Sequence, residues 1–572
     1  MNTADVLYEN GQLRDIDVQF AKQMCAVFDC PEAHLFFAVL FYAVSTEHTC
    51  LKTDRIDILP FYKDFKEELD TTFSRENIQK IAASGAIAED ESAPVIFTGG
   101  RLYLAAFYRS EKLVGDFIRK SSEIAISDGE KLKELLIKEF GEGANMQKAA
   151  ALCACLSGFC VITGGPGTGK TTTVRKVLNI LNALSDTPLN IALTAPTGKA
   201  ANRLNETLNE ADGLKAVTLH RLLGTSGSRD RSRFSPEYPM SYDVVIVDEA
   251  SMVDLKMMSE LVNSLKPHAR LILLGDKDQL SSVMPGSVLG DICTASQTDV
   301  FSQERASIIK KYADTEVLAN GQSISDITVA LTESHRFDDT LGIGRLAKAC
   351  RVGDSETALD VICNDTTQKI EFIPSDTDIM GFFRKYIIDL YKKTVAESDP
   401  QMMLEAAAKS IILCPNVTGR FGTQAINSFA LAALSREGLR SSTEKYFHGQ
   451  PIMITENDYS MNLFNGETGL VVKRDGMKAY FAGRERPVGV MRMPSWVNVY
   501  AMTVHKSQGS EFDHVILVLP ESDSPIATRE LFYTAVTRAK EKLTVISSET
   551  AIKTYLNRQT ERFSGLEDYL KS

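Results

Sequence analysis

None of the ten cysteines pairs as CxxC, there is one tryptophan, no apolar run is long enough to cross a bilayer, and positive charge is not in excess. Each absence excludes a class. Without metal-finger or redox spacing the cysteines read as small core residues, and Cys153, Cys155 and Cys160 fall in ALCACLSGFC, an apolar helix running into a strand. The longest apolar run, Leu35 to Val44, is too short for a transmembrane helix, and the first residues lack the basic-then-apolar order of a secretory leader. A cytoplasmic protein with no membrane partner is expected. A net charge of −12 excludes nonspecific coating of nucleic acid and confines any such contact to a local cleft.

What is present divides by rhythm. At 572 residues the chain exceeds what one core serves, so several domains are expected. Residues 1–140 read as mostly helical, with apolar positions at helical spacing from Ile16 to Val27 and a hairpin at Val95 to Leu104. This region carries no catalytic motif. It reads as a structural lobe or a docking surface, and a docking lobe would expose apolar surface such as Leu35 to Val44.

Residues 141–335 switch to short β-branched strands alternating with helices: CVIT (160–163), IALTAP (191–196), VVIVDE (244–249) and RLILLGD (270–276). That alternation predicts a parallel sheet with its active edge at the strand C-termini. A polar segment from Thr225 to Tyr242 interrupts it as an inserted loop or small hairpin; its Arg229, Arg231 and Arg233 either line a DNA path or sit on a solvated loop. Residues 336–572 repeat the pattern with IILCPN (411–416), a helix near Thr423 to Leu434, HVILVLP (514–520), a helix near Thr528 to Lys540 and KLTVISS (542–548). Between about 446 and 495, short strands broken by Asn465-Gly466 and Asp475-Gly476 predict a small inserted β-barrel. The expected class is α/β, with two parallel-sheet lobes.

GGPGTGKT, from Gly164 to Thr171, follows a β-branched strand and precedes the helical TTVRKVLNIL, which is the context a phosphate-binding loop requires. Gly164, Gly165, Pro166, Gly167, Thr168 and Gly169 would turn backbone N–H groups toward phosphates at a helix N-terminus, with Thr172 alongside. Lys170 would reach the β- and γ-phosphates of ATP and Thr171 would ligate Mg²⁺. At the end of VVIVDE, Asp248 would hold the metal through water and Glu249 would orient and deprotonate the attacking water. Gln279, in LLGDKDQL, is placed to meet both the γ-phosphate and that water; Gln147, upstream, offers an amide that pairs with N6 and N7 of adenine.

The second lobe would supply Arg336, in ESHRF, and Arg538, in TAVTRAK, to stabilise charge on the transferring phosphoryl group. A γ-phosphate bridging two lobes closes a cleft, and its loss reopens it. Three polar segments have the groups that bind a sugar–phosphate backbone: Pro196, Thr197, Gly198 and Lys199; Thr218 and His220; and Thr503, His505, Lys506 and Ser507. Glu511 would instead meet the ATP ribose.

Together ITGGPGTGKTTTV, LTAPTGKAANRL, TLHRLLG, VVIVDEASMVDL, LLGDKDQLSSV, TVHKSQGSEFDH and RELFYTAVTRAK resemble the superfamily 1 helicases. With PGSVLGDIC, GRFGTQAIN and LFNGETG, and with DVQFA and GGRLYL in the amino-terminal region, the resemblance narrows to the RecD family of RecBCD (exonuclease V) subunits and covers nearly the whole chain. It implies two RecA-like lobes, an SH3-like β insert at 446–495, and an N-terminal domain that docks on RecC. It also implies a motor moving 5′ to 3′ on single-stranded DNA at a duplex end, beside RecB and RecC, in break repair and degradation of linear DNA. The residues after 548 hold no cluster suited to a two-metal nuclease, so DNA cutting is expected to reside in a partner. The alternatives are a stand-alone RecD-like helicase, whose N-terminal region is larger, a nucleotide-gated subunit without productive translocation, and an RNA helicase of the same superfamily.

Overall fold

The computed structural model describes the chain apart from residues 1–2, 122–123, 125–127, 209–213, 226–230, 337, 339, 459, 485 and 522–523. The amino-terminal region is helical around a small sheet of β1 (Cys50–Lys52), β2 (Ile87–Ala88), β3 (Val95–Thr98) and β4 (Arg101–Leu104), in the order β1-β4-β3-β2. The hairpin read from sequence is β3–β4, pairing Val95 with Leu104. The apolar run is not a docking face. In the helix His34–Thr46, residues 35–40 and Ala43 and Val44 are all buried, so this run is the regional core rather than exposed surface. A helix that is apolar all round must be enclosed on all sides.

The next sheet is entirely parallel. It comprises β5 (Phe159–Gly164), β6 (Ile191–Ala195), β7 (Val217–Thr218), β8 (Val244–Val247), β9 (Arg270–Gly275) and β10 (Thr328–Leu331), in the order β10-β5-β9-β8-β6-β7. β5, β8 and β9 are near-continuous apolar runs, as strands covered on both faces must be. The phosphate loop, Asp248 and Asp276 therefore leave the sheet along one edge. Of the inserted segment, Arg231 and Arg233 are exposed, and Arg233 lies over the Phe234 ring at 4.7 Å; Arg229 falls outside the described residues.

The second parallel sheet begins with β11 (Ile370–Pro374) and β12 (Ser410–Cys414). The chain then makes an antiparallel sheet of β13 (Gln450–Ile454), β14 (Thr468–Lys473), β15 (Met477–Phe481), β16 (Val488–Gly489) and β17 (Trp496–Asn498), ordered β16-β15-β14-β13-β17. It returns through β18 (Ala501–Thr503), β19 (Phe512–Val518) and β20 (Ala539–Ser547) to complete the order β11-β20-β19-β12-β18. The helix expected to reach Lys540 ends at Val536, and β20 starts at Ala539. Arg538 therefore occupies a tight helix-to-strand turn. Among the described residues, no helix is long and apolar enough to cross a membrane.

After the helix Glu549–Asn557 the chain leaves the second lobe and crosses back. Thr49 N donates to the Phe563 carbonyl, Phe563 stacks on His48 with centroids 5.0 Å apart, and Leu566 and Leu570 complete the first lobe's core. The buried Glu111 carboxylate accepts from Thr49 Oγ1, Ser564 Oγ and Gly565 N. This carboxylate and Asp291 are pushed up by burial.

His48 Nδ1 accepts from Phe563 N at 3.0 Å, and burial pushes the imidazole down to about 4. Between that value and the ordinary 6.5, the unfolded chain binds a proton that the native one refuses, so stability is lost as pH falls through this window. At pH 5 the loss from His48 is about 2 kcal/mol. Glu111 and Asp291 act with the opposite sign, so a difference between variants isolates the imidazole. Thermal unfolding of His48→Gln is expected to lose less stability between pH 7.5 and pH 5 than the wild type does; equal losses would remove His48 as the cause.

Candidate functional site

The phosphate loop joins β5 to the helix Lys170–Leu184. Gly167 and Gly169 have φ of 79° and 82°, a region side chains other than glycine rarely adopt. A Cβ would lie 2.4 Å from Arg336 Cβ at Gly167 and 2.4 Å from Gln147 Nε2 at Gly169. Lys170 Nζ donates to the carbonyls of Gly164 and Gly165 at 2.5 and 3.0 Å, and Thr168 Oγ1 donates to the Gly165 carbonyl at 2.9 Å. A cation held by neutral carbonyls beside a helix N-terminus fits a phosphate. The loop opens on a cavity of about 340 Å³, lined by residues 166–172 together with Asp248, Glu249, Asp276, Gln279, His335, Arg336, Glu511 and Arg538.

Asp248 and Glu249 leave the end of β8 at the cavity wall. Burial and the adjacent Glu249 carboxylate push the Asp248 carboxyl up to about 6. Glu249 itself has φ 53°, a left-handed conformation that costs energy for any residue carrying a Cβ. A divalent cation beside Asp248 and the Thr171 hydroxyl would offset the burial of this paired charge, so the donor set suits magnesium.

The nucleotide side is closed by the second lobe and the connection to it. Arg336, expected from the second lobe, lies in the connection after β10 and packs on the first lobe's loop, where His335 N donates to the Gly167 carbonyl at 2.9 Å. Arg538 does come from the second lobe and is buried; its Nε and Nη1 donate to the carbonyls of Thr534 and Ser510, both at 3.2 Å. Burial pushes its guanidinium down while Glu249 and Glu511 hold it up. Glu511 pairs with Arg203 and with Arg336, the latter at 2.9 Å. Burial pushes the Glu511 carboxyl up, and the two guanidinium groups outweigh it. Gln147 Nε2 donates to the Thr168 carbonyl at 3.0 Å and meets His335 Nε2 at 3.2 Å. The amide nitrogen expected to pair with adenine is thus bound to the loop's backbone.

The residues read as DNA contacts have mixed surroundings. Pro196 and Thr197 are part-exposed; Thr197 Oγ1 accepts from Ala200 N at 3.2 Å. Lys199 lies between the lobes, 5.8 Å from the Phe512 ring, and burial with Arg203 nearby pushes it down to about 8. Thr218 caps the helix Leu219–Leu223 and His220 is exposed. Thr503 and the exposed Lys506 line a groove of about 990 Å³ with Asn427, Tyr446 and Trp496. His505 is pushed down by burial. Ser507 does not fit the reading: it is fully buried and its hydroxyl donates to the Val504 carbonyl at 2.7 Å.

Sequence reasoning missed Arg203, Asp276 and His335 at the cavity. Arg203 sits four residues after Lys199 on the helix Gly198–Leu208, within a segment read for nucleic acid; one helical turn was the available signal.

Residues 147–285 match the AAA domain family, residues 498–546 the UvrD-like helicase C-terminal domain, and residues 9–103 the N-terminal domain of RecBCD enzyme subunit RecD. The RecBCD enzyme subunit RecD of Haemophilus influenzae is 33% identical over 96% of this chain and 90% of its own length. That of Mycolicibacterium smegmatis is 36% identical over 83% of each chain. This chain belongs to the RecD family. It is an ATP-dependent helicase subunit. The ATP-dependent RecD2 DNA helicase of Deinococcus radiodurans, 29% identical over 85% of this chain, is matched over only 62% of its own length. Among solved structures, a Bacteroides Pif1 helicase aligns at 18% identity over 74% of this chain and 92% of that one, with a TM-score of 0.38.

Gly167→Ala tests the loop. With a Cβ 2.4 Å from Arg336 Cβ and φ 79°, the substitution must displace either the loop or the connection. Nucleotide affinity, measured with a fluorescent ATP analogue, is expected to fall at least about tenfold, equivalent to about 1.4 kcal/mol.

Proposed function

We propose that this chain is the 5′-to-3′ single-stranded DNA motor of a RecBCD-type complex, assembled with RecB and RecC, acting at duplex ends in break repair and linear DNA degradation. The observation that carries the reading is that side chains from both lobes line one cavity above the phosphate loop: Lys170, Glu249 and Gln279 from the first, Glu511 and Arg538 from the second. A site completed by two bodies couples its chemistry to their separation.

In this reading Lys170 and the loop amides bind the phosphates of ATP, and Gln147 pairs with the adenine. Thr171 and Asp248 would hold magnesium, which would neutralise phosphate charge. Glu249 receives the proton of the attacking water, Gln279 orients that water, and Arg336 and Arg538 stabilise the charge that develops on the transferring phosphoryl group. Glu511 neutralises Arg203 and Arg336 in this state. An arriving phosphate competes for Arg336, so Glu511 is positioned to release it and turn to the ribose. Thr197, Thr218, His220, Thr503 and Lys506 are the proposed backbone contacts, which carry no base information and allow tracking along any strand. The match to the RecD N-terminal domain supports assembly through that region. The identity to RecBCD enzyme subunits over nearly the whole chain supports a complex subunit over a stand-alone helicase.

The reading predicts ATP turnover stimulated by single-stranded DNA more than by RNA, and strand displacement from 5′ but not 3′ overhangs. Lys170→Gln is expected to lower turnover at least about 100-fold without releasing the chain from its partners. Turnover indifferent to DNA would favour the nucleotide-gated subunit, and unwinding from 3′ overhangs would overturn the polarity. Purified chain with magnesium is expected to leave linear DNA uncut.

A further inference from the structure

Gln279 is buried, and its two amide atoms are treated differently. Its Nε2 donates to Asp276 Oδ2 at 3.0 Å, while its Oε1 is buried without a hydrogen-bond partner among the described residues. A carboxylate only accepts, so the nitrogen must face Asp276 and the oxygen must face the other way. Gln279 lines the cavity above the phosphate loop. The orphaned oxygen is a buried acceptor without a donor, a role that an attacking water entering the cavity would fill.

Asp276 is in turn held from the other lobe. Tyr533, on the helix Arg529–Val536, donates its hydroxyl to the same Asp276 Oδ2 at 3.0 Å, and Asp278 N donates to Oδ1 at 3.1 Å. Tyr533 is buried, and burial with the nearby Asp276 pushes its phenol well above the ordinary range, so it remains a donor. Its hydroxyl also lies under the phosphate loop, 3.1 Å from where a Cβ on Gly165 would stand. The second lobe grips the next residue by both backbone groups: Leu280 N donates to Thr534 Oγ1 at 2.9 Å, and Gln508 Nε2 donates to the Leu280 carbonyl at 2.8 Å.

We propose that Tyr533 is a positioning residue for hydrolysis: its hydroxyl fixes Asp276, Asp276 fixes the Gln279 amide, and the water-orienting oxygen is aimed only while the lobes are closed. The chain from Tyr533 through Asp276 to Gln279 crosses the lobe boundary at one hydrogen bond, beside the two that hold the Leu280 backbone. Opening the cleft breaks that bond, frees the amide to rotate, and silences hydrolysis before the phosphates leave. This rests on the reading that Gln279 orients the attacking water.

The test is steady-state ATPase of the full chain with saturating oligo-dT, for wild type, Tyr533→Phe, Gln279→Ala and the double variant. Tyr533→Phe is expected to lower kcat about tenfold with KM and nucleotide-analogue affinity changed less than about twofold. The double variant is expected to be no slower than Gln279→Ala alone, since both act through one amide. An unchanged kcat in Tyr533→Phe, or single losses that multiply in the double variant, would overturn the role of Tyr533. Wild-type kcat in Gln279→Ala would instead remove the reading of Gln279 and this inference with it.

Discussion

Charge balance across the lobe boundary constrains everything else in the molecule. Lys170, Arg203, Arg336 and Arg538 share one cavity with Asp248, Glu249, Asp276 and Glu511. Taken out of water singly, any of these would cost several kcal/mol. Interleaved, they compensate one another: Glu511 holds two guanidinium groups, while the raised Asp248 carboxyl marks where compensation is incomplete. A divalent cation held beside Asp248 would relieve it.

The two parallel sheets make this arrangement possible because parallel strands present all their C-terminal ends on one side. β5, β8 and β9 deliver the phosphate loop, Asp248 and Asp276 to a common edge through adjacent pairings. The second sheet turns its own edge toward the first, so Arg538 enters from the turn between a helix and β20. Distortion is local: Glu249 adopts a left-handed backbone where the surrounding sheet is regular. The C-terminal segment ties the second lobe back to the first and to the amino-terminal region, so the two motor lobes are joined both by the connection at Arg336 and by this return.

Much of the site was legible, because phosphate chemistry demands small residues and a lysine at fixed spacing and buried strands demand apolar runs. Gly164 to Thr171, Asp248, Glu249, Gln279 and Arg538 all line or adjoin the cavity on those grounds. Other features were not. The run from Leu35 to Val44 read as a possible surface, since hydrophobicity says that a helix is enclosed without saying by what. β10 and β11 were missed because short edge strands lack a distinctive period. Ser507 had the residue type of a phosphate contact, but its hydroxyl is consumed by its own turn.

The amino-acid sequence by itself determined the α/β alternation, the phosphate loop, the acids at the strand ends and the membership of a helicase family. Those depend on local spacing and on side-chain chemistry, which a linear string contains. Only the tertiary structure decided that Arg336 belongs with the first lobe's loop, that Arg203 and Glu511 neutralise each other, and that Tyr533 reaches Asp276 across the boundary. Such pairings join residues hundreds of positions apart through sheet order and lobe packing. Their partners are selected by where burial leaves a charge or a hydrogen-bonding atom unmatched, and that is a property of the assembled interior.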